Sequence, residues 1–341
     1  MSVLHLLGSA ADGGAETYFA SLVGALSRAG VEQACAIRSH RPREAAVAAA
    51  GVPCRTFAFG GPIDVFTKGQ VRRFARQKRA RVLLAWMNRA AAKTPKGPWA
   101  RIGRLGGYYS LKYYAGFDAL VANTPDILRW VVEQGWPADR VEYIPNFAAA
   151  GDSEPQDRSA LDTPEDAPLL LAMGRLHENK AHDVSLKALA QVPGAYLWIA
   201  GAGPLEGELK SLAQRLGVSE RVRFLGWRED ATALYRAADI CLFPSRFEPL
   251  GNVVIQCWAH GLPIVAAASQ GPGALIRDGE DGLLVPVDDA GALAAGVRRL
   301  LDDPMLPIRL IQNGHGRIEA EFSEAAVVDH WRALFARYGE G

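Results

Sequence analysis

Two doubly wound α/β domains are what this sequence predicts, and three observations carry the prediction. Short apolar runs alternate with amphipathic stretches from end to end. The alternation stops once, over residues 148–168, and then restarts. A length of 341 residues also matches two domains at ~150 residues each.

Val3–Leu7 reads as a strand, followed by a glycine-rich loop and a helix over Gly14–Arg28. Ala34–Ile37, Val82–Trp86, Ala119–Ala122 and Val141–Ile144 continue the series as short apolar runs between helical patterns. Ala148–Pro168 is rich in Asp, Glu, Pro, Ser and Ala and lacks an apolar period, so it reads as a linker. Residues 1–150 are then a first domain, 151–167 the linker and 168–322 a second domain. Strands of the second are predicted at Leu169–Met173, Ala195–Ala200, Val222–Leu225, Ile240–Phe243, Pro263–Ala267 and Gly282–Val285. Residues 323–341 hold an amphipathic helix, Glu324–Tyr338, expected to pack back toward the N-terminal domain. Ligands of doubly wound sheets sit beyond the carboxyl ends of the strands. Two such domains are expected to face each other across a cleft, with function in the loops that line it.

Composition narrows the class. Hydrophobic residues at 49% and charged residues at 22% exclude a disordered chain. Cys35, Cys54, Cys241 and Cys257 lie far apart in apolar stretches, which predicts small core residues in a reducing compartment, not a zinc site or a disulfide framework. The N-terminal MSVLHLLGSAADGG has no basic leader region, and no apolar run reaches the ~18 residues of a membrane span. A cytoplasmic protein is expected, with any membrane contact peripheral and on the inner face.

Three loops carry the chemistry. In Gly8–Thr17, glycines and a helix N-terminus can cradle an anion, or can simply make a tight turn. In AMGRLHENKAHD, a strand ends at Gly174, Arg175 follows, and Lys180 is expected to begin the next helix. Two cations there suit a diphosphate, Arg175 binding it bidentately and Lys180 acting as a point charge. In FPSRFEPLGNVVIQCWAH, the strand Ile240–Phe243 runs into a loop holding Arg246 and Glu248, and a helix starts near Asn252. Backbone amides at Gly251–Val253 can face an anion. Glu248 can accept hydrogen bonds from sugar hydroxyls, or cap that helix.

These motifs, in this order, resemble the retaining GT-B glycosyltransferases of family 4, the glycosyl transferases group 1. The resemblance rests on Gly13-Gly14-Ala15-Glu16, Gly174-Arg175-Leu176 with Lys180, and Glu248-Pro249-Leu250-Gly251. Gly201-Ala202-Gly203-Pro204 and Phe224-Leu225-Gly226-Trp227 add to it. It implies a GT-B fold and transfer of a sugar, with retention, from a nucleotide-diphosphate sugar to a glycan or glycolipid. A UDP-sugar is favoured, and surface-polysaccharide or lipopolysaccharide synthesis is the expected setting. No cofactor and no essential metal are implied.

The resemblance makes Glu248, Arg175 and Lys180 the catalytic set. Glu248 would touch the donor sugar, and the two cations would neutralise the departing diphosphate. Gly13, Gly14, Gly174, Gly203, Trp227, Arg228, Leu250, Gly251, Asn252, Val253 and Gln256 form the implied donor-binding set. Glu16, Asn88 and Arg89 lie on the acceptor side. The chain departs from the family pattern at Gln256, where a Glu usually holds the ribose, and at Ala274, often a Glu. Met87-Asn88-Arg89 stands where a histidine is frequent after the fourth strand.

Charge is unevenly placed. Residues 65–117 contain thirteen Lys and Arg and no Asp or Glu, interleaved with Trp99, Tyr108, Tyr109, Tyr113 and Tyr114. Such a segment suits an anionic membrane surface or glycolipid at ~1 kcal/mol per cation. It is equally what a solvated face over buried aromatics would look like. Nucleic acid is not an expected partner, because no recognition motif accompanies the charge and the chain's net charge is only +1. Two other readings of the same fold are a nucleotide-sugar epimerase and a catalytically weak binding protein.

Overall fold

The computed structural model describes residues 2–11, 13–60, 64–148, 151–228 and 230–339. The chain forms two compact units, one from residues up to Asn146 together with those from Glu324 onward, the other Phe147–Ser323.

In the first unit, β1 (Ser2–Leu7), β2 (Glu32–Ile37), β3 (Cys54–Thr56), β4 (Val82–Trp86), β5 (Ala100–Leu105), β6 (Ala119–Ala122) and β7 (Val141–Tyr143) form one sheet. Its order is β3-β2-β1-β4-β5-β6-β7, and every pairing is parallel. In the second unit, β8 (Leu169–Met173), β9 (Tyr196–Ala200), β10 (Val222–Gly226), β11 (Ile240–Phe243), β12 (Ile264–Ala267) and β13 (Leu283–Val285) do the same. Their order is β10-β9-β8-β11-β12-β13, again all parallel. Both units are therefore doubly wound. Strand order reverses between β1 and β4 in one sheet and between β8 and β11 in the other. Those reversals are where loops splay apart and ligands enter such sheets.

Parallel strands covered on both faces need near-continuous apolar sequence. Val82–Trp86 supplies it, each residue fully buried. Two strands escape that pattern. In β3, Arg55 and Thr56 are exposed at the sheet edge. In β5, ARIGRL carries two arginines, and Arg104 is itself buried. The four thiols are free, and Cys35 and Cys54 are register partners across β2 and β3.

Residues 151–167 lie in the second unit and are tied to it by polar contacts. Arg158 donates to the Ala237 carbonyl at 3.0 and 2.6 Å and to Asp239 at 2.8 Å. The indole of the fully buried Trp198 donates to Thr163 Oγ1 at 2.9 Å. The terminal helix, Glu324–Gly339, belongs to the first unit and buries Val327, Val328, Trp331, Leu334 and Phe335. Arg28 clamps its start, with Nη2 at 2.7 Å from both carboxylate oxygens of Glu324. No helix among the described residues is long and apolar enough to cross a membrane.

Close packing of the loops after β8 and β9 depends on Gly201, whose φ is +156°; a Cβ there would stand 1.9 Å from the Gly174 carbonyl oxygen. Gly201→Ala should destabilise the second unit by roughly 2–4 kcal/mol and lower its melting midpoint by about 5–10 °C. Gly207, with nothing within 4 Å of its Cβ position in the helix Glu206–Arg215, is the control. Its alanine variant should be neutral or up to ~1 kcal/mol more stable. Circular dichroism melts of the two variants check this, and equal midpoints would contradict it.

Candidate active site

The second unit concentrates its chemistry at the β8/β11 reversal. Gly174 leaves β8 with φ +141°, and the stem of Lys180 lies over it, 3.2 Å from where a Cβ would stand. A short 3-10 turn, Glu178–Lys180, follows; Ala181 then takes φ +53° and the helix starts at His182. Lys180 thus closes the turn and does not begin the helix, contrary to the sequence expectation. The left-handed Ala181 interrupts the helical path between them. His182 places Nε2 3.1 Å from the Gly174 carbonyl, and burial pushes its pKa down to about 4, so the imidazole is neutral near pH 7.

The loop after β11 is stitched to the loop after β8. Arg246 reaches Asp183 at 2.9 Å, Asp288 at 2.5 Å and the Glu178 carbonyl at 2.8 Å, and its backbone N–H donates to Asn179 at 2.8 Å. This clamp delivers Glu248 to Lys180, and the two form an ion pair. Glu248 Oε2 takes the ammonium, while Oε1 accepts the Gly251 N–H at 3.3 Å. The carboxylate therefore caps the helix Asn252–His260 and holds a cation at once. Gly251, at φ +83°, makes the turn into that helix. Gly271 packs against the same loop, since a Cβ on it would lie 2.5 Å from the Leu250 carbonyl carbon, and its N–H donates to the Glu248 carbonyl at 2.7 Å.

The other expected donor-side residues divide by what holds them. Arg175 is exposed and forms no ion pair or side-chain hydrogen bond among the described residues, so it is available to an anion. Asn252 and Gln256 are half-buried one helical turn apart on one face, and among the described residues no protein group takes the Gln256 amide. Val253 is half-buried beside them, Leu250 is buried, and Ala274 is exposed on the helix Gln270–Leu275. Gly203 is explained by packing, because its Cβ would stand 2.4 Å from the Leu176 carbonyl oxygen. Trp227 is 59% exposed at the end of β10. Arg228 is occupied by Asp230 at 2.7 Å and by Gln156 at 2.8 Å.

In the first unit the β1/β4 reversal brings together the other motif residues. Gly13 caps the helix Gly14–Arg28 in extended conformation, and Glu16 folds back over it, Oε2 2.9 Å from where a Cβ would stand. Arg43 pins the loop by donating to the carbonyls of Ser9 at 2.8 Å and Ala11 at 2.7 Å. After β4, Met87 adopts φ +63°, Asn88 is half-buried with Oδ1 unpartnered among the described residues, and Arg89 lays its stem on Gly8. A non-glycine residue in the left-handed region at the end of a central strand is strain of the kind held at functional loops. Sequence reasoning gave His182, Gly271 and the clamping partners of Arg246 no role. Their contacts join segments far apart in the chain, and only the Gly-Pro-Gly run near Gly271 hinted at close packing.

Within the basic segment, Trp99 and Tyr114 are buried, Tyr108 and Tyr109 half-buried and Tyr113 39% exposed. The helix Thr67–Gln77 buries Val71, Phe74 and Ala75 and exposes Lys68, Arg72, Arg73 and Arg76. Val65 and Phe66, just before it, are 72% and 74% exposed.

Comparison with known proteins gives one answer for both halves of the chain. Residues 167–303 match the family Glycosyl transferases group 1, and residues 12–149 match Glycosyltransferase Family 4. The chain is 39% identical over 329 residues to the lipopolysaccharide core biosynthesis glycosyltransferase LpsE of Rhizobium meliloti (strain 1021), covering 95% of this chain and 96% of LpsE. It is 37% identical over 341 residues to LpsD of the same strain, covering 99% and 98%. Among solved structures, Anabaena HepE in complex with UDP superposes with a TM-score of 0.87 at 19% identity, covering 99% of this chain and 100% of that one, which speaks for the fold. The chain belongs to the group 1, family 4 glycosyltransferases of GT-B fold and is a glycosyltransferase.

Proposed function

We propose that this glycosyltransferase moves a sugar, with retention, from a UDP-sugar to the growing core of a lipopolysaccharide or a related membrane-borne glycan. The observation that carries the donor half is the Lys180–Glu248 pair beside the unpaired Arg175 at the β8/β11 reversal. A diphosphate is recognised by a forked guanidinium and a point-charge ammonium together. When it arrives, Lys180 exchanges a carboxylate for a phosphate, and Glu248 is released to accept hydrogen bonds from the sugar hydroxyls. Asn252 and Gln256, on the helix that Glu248 caps, take the ribose. Gln256 does so as a neutral amide, at a cost of ~1 kcal/mol relative to a carboxylate. HepE, which shares this fold, is known in complex with UDP and with UDP-glucose, and this supports the choice of donor.

In the transfer itself the bond from the anomeric carbon to the diphosphate breaks and a bond to an acceptor hydroxyl oxygen forms on the same face. The hydroxyl proton passes to the departing phosphate. Arg175 and Lys180 carry the positive charge that this leaving group needs, so no bound metal is required in the proposal. The acceptor is assigned to the first unit, near Glu16, Asn88 and Arg89, and the LpsE and LpsD likeness supports a lipopolysaccharide-core acceptor. Such an acceptor sits at a membrane surface on the cytoplasmic side. We place the contact at Val65, Phe66 and the cations of the helix Thr67–Gln77.

Thermal melts with UDP, GDP, ADP and dTDP test the donor. UDP at ~100 times its dissociation constant should add about 2.7 kcal/mol, a shift of several degrees, unaffected by EDTA and reduced in Lys180→Ala. No shift with any of the four removes the donor assignment. Sedimentation with vesicles tests the surface. Vesicles containing anionic lipid should capture the protein at low salt and release it at high salt, and Phe66→Ser with Arg72→Glu should weaken capture at least fivefold. Equal binding of the variant, or no binding by the wild type, removes the membrane assignment.

A further inference from the structure

The first unit buries a positive charge that none of its described carboxylates neutralises. Arg104, near the carboxyl end of β5, is 2% exposed. Its guanidinium stacks 4.5 Å from the Trp86 ring and 4.9 Å from the Tyr18 ring. One nitrogen, Nη2, donates to the Asn146 side chain, and Nε has no partner among the described residues. The ionisable groups that act on it are the tyrosines Tyr18, Tyr109 and Tyr114. A guanidinium stays charged in proteins, and a buried charge is stable only when paired or fully hydrogen-bonded.

Structural arginines elsewhere in this chain look different. Arg158 is saturated by the carbonyls of Ala237, Glu165 and Ala167 and by Asp239. Arg221 spans the carbonyls of Val192 and Ala195. Arg104 makes a single hydrogen bond among the described residues, and its Nη1 is left for another partner. Gly106 marks where. The three atoms nearest to the position a Cβ on it would take are Arg104 Nη1 at 3.3 Å, Tyr109 Oη at 3.6 Å and Asn123 Nδ2 at 3.8 Å. All three are hydrogen-bond donors, and they converge on a half-exposed glycine that leaves them room. Asn123 is 2% exposed, and its other side-chain atom is unpartnered too. Glu16 acts electrostatically on Tyr109 but forms no ion pair with Arg104. The group lies at the carboxyl edge of the sheet, since Arg104 is on β5, Asn123 follows β6 and Asn146 follows β7.

We propose that Arg104, Tyr109 and Asn123 form an oxyanion subsite that takes a carboxylate or phosphate borne by the acceptor. A charged guanidinium N–H, with a hydroxyl and an amide alongside, suits either group. The donor diphosphate is served by Arg175 and Lys180 on the other unit, so this charge is left for the second substrate. The inference rests on the reading that the first unit binds the acceptor. It deepens that reading by requiring an acidic acceptor.

Melts of the full-length protein without nucleotide, in chloride buffer titrated with inorganic phosphate or with acetate, test the proposal. The wild type should show saturable stabilisation by at least one of the two anions. A stronger phosphate effect marks a phosphorylated acceptor, and a stronger acetate effect marks an acidic sugar. Arg104→Gln should remove the part of the effect that survives in Arg175→Ala, the variant that disables the donor diphosphate site. Tyr109→Phe and Asn123→Ala, which keep the buried stack, should each weaken the anion about tenfold and decide the matter if the arginine variant does not fold. Equal anion shifts in the wild type and these variants, or no saturable shift in the wild type, overturn the proposal. UDP is the separate control. If Arg104→Gln loses the UDP shift that the wild type shows, the guanidinium serves the donor and the proposal fails. If the wild type itself ignores UDP, the donor reading fails, while the anion result still stands on its own.

Discussion

The ion pair between Lys180 and Glu248 is the constraint on which the second unit's site depends. It joins the loops that leave β8 and β11, the two strands flanking the reversal in strand order. Each partner is set by backbone that few residues can supply. Ala181 in the left-handed region turns Lys180 away from the helix it precedes, Gly174 clears space for its stem, and Gly251 turns the chain so that Glu248 caps the next helix. Arg246 then ties the two loops together through Asp183 and the Glu178 carbonyl, and holds the loop after β13 through Asp288. The result is a preorganised cation whose resting partner is a carboxylate and whose working partner, in the proposed reaction, is a phosphate. Preorganisation of this kind lowers the reorganisation needed when charge develops on a leaving group.

Charge is handled differently in the two units. In the second, positive side chains are either clamped, as Arg246 and Arg228 are, or left open, as Arg175 is. In the first, the segment 65–117 lacks acidic residues, and its cations are held in different ways. Arg72, Arg73 and Arg76 face solvent beside exposed Val65 and Phe66, Lys93 is drawn to Asp64, and Arg104 is buried against Trp86 and Tyr18. A segment that looked in sequence like a single basic stretch thus contains a solvated face and a buried charge. The two call for separate tests.

Much of the fold was legible in the sequence because parallel strands buried on both faces write themselves as apolar runs. Val82–Trp86, Ala119–Ala122, Leu169–Met173 and Ile240–Phe243 have the bounds that their runs predict. The edge strand β3 was hidden because its residues are half-exposed or exposed, and β5 because arginines interrupt it, one of them held in the core by aromatic faces instead of an acid. At the site, glycine and charge spacing pointed to Gly174, Arg175, Lys180, Glu248 and Gly251. The same spacing misplaced the start of the helix after Lys180, since nothing in the identity of Ala181 announces φ +53°. His182 and the partners of Arg246 were illegible for a plainer reason. Their function lies in contacts between segments dozens of residues apart, which periodicity does not report.

Calorimetric titration of UDP into the wild type and into Glu248→Gln tests the central claim most directly. If Glu248 is the resting partner that a diphosphate displaces from Lys180, removing its charge releases the ammonium and relieves repulsion. UDP should then bind more tightly, by about 1 kcal/mol or roughly fivefold for a part-exposed pair. Weaker binding of UDP to Glu248→Gln, by a similar factor, would mean that the carboxylate serves the nucleotide itself, and the exchange on which this account rests would be contradicted.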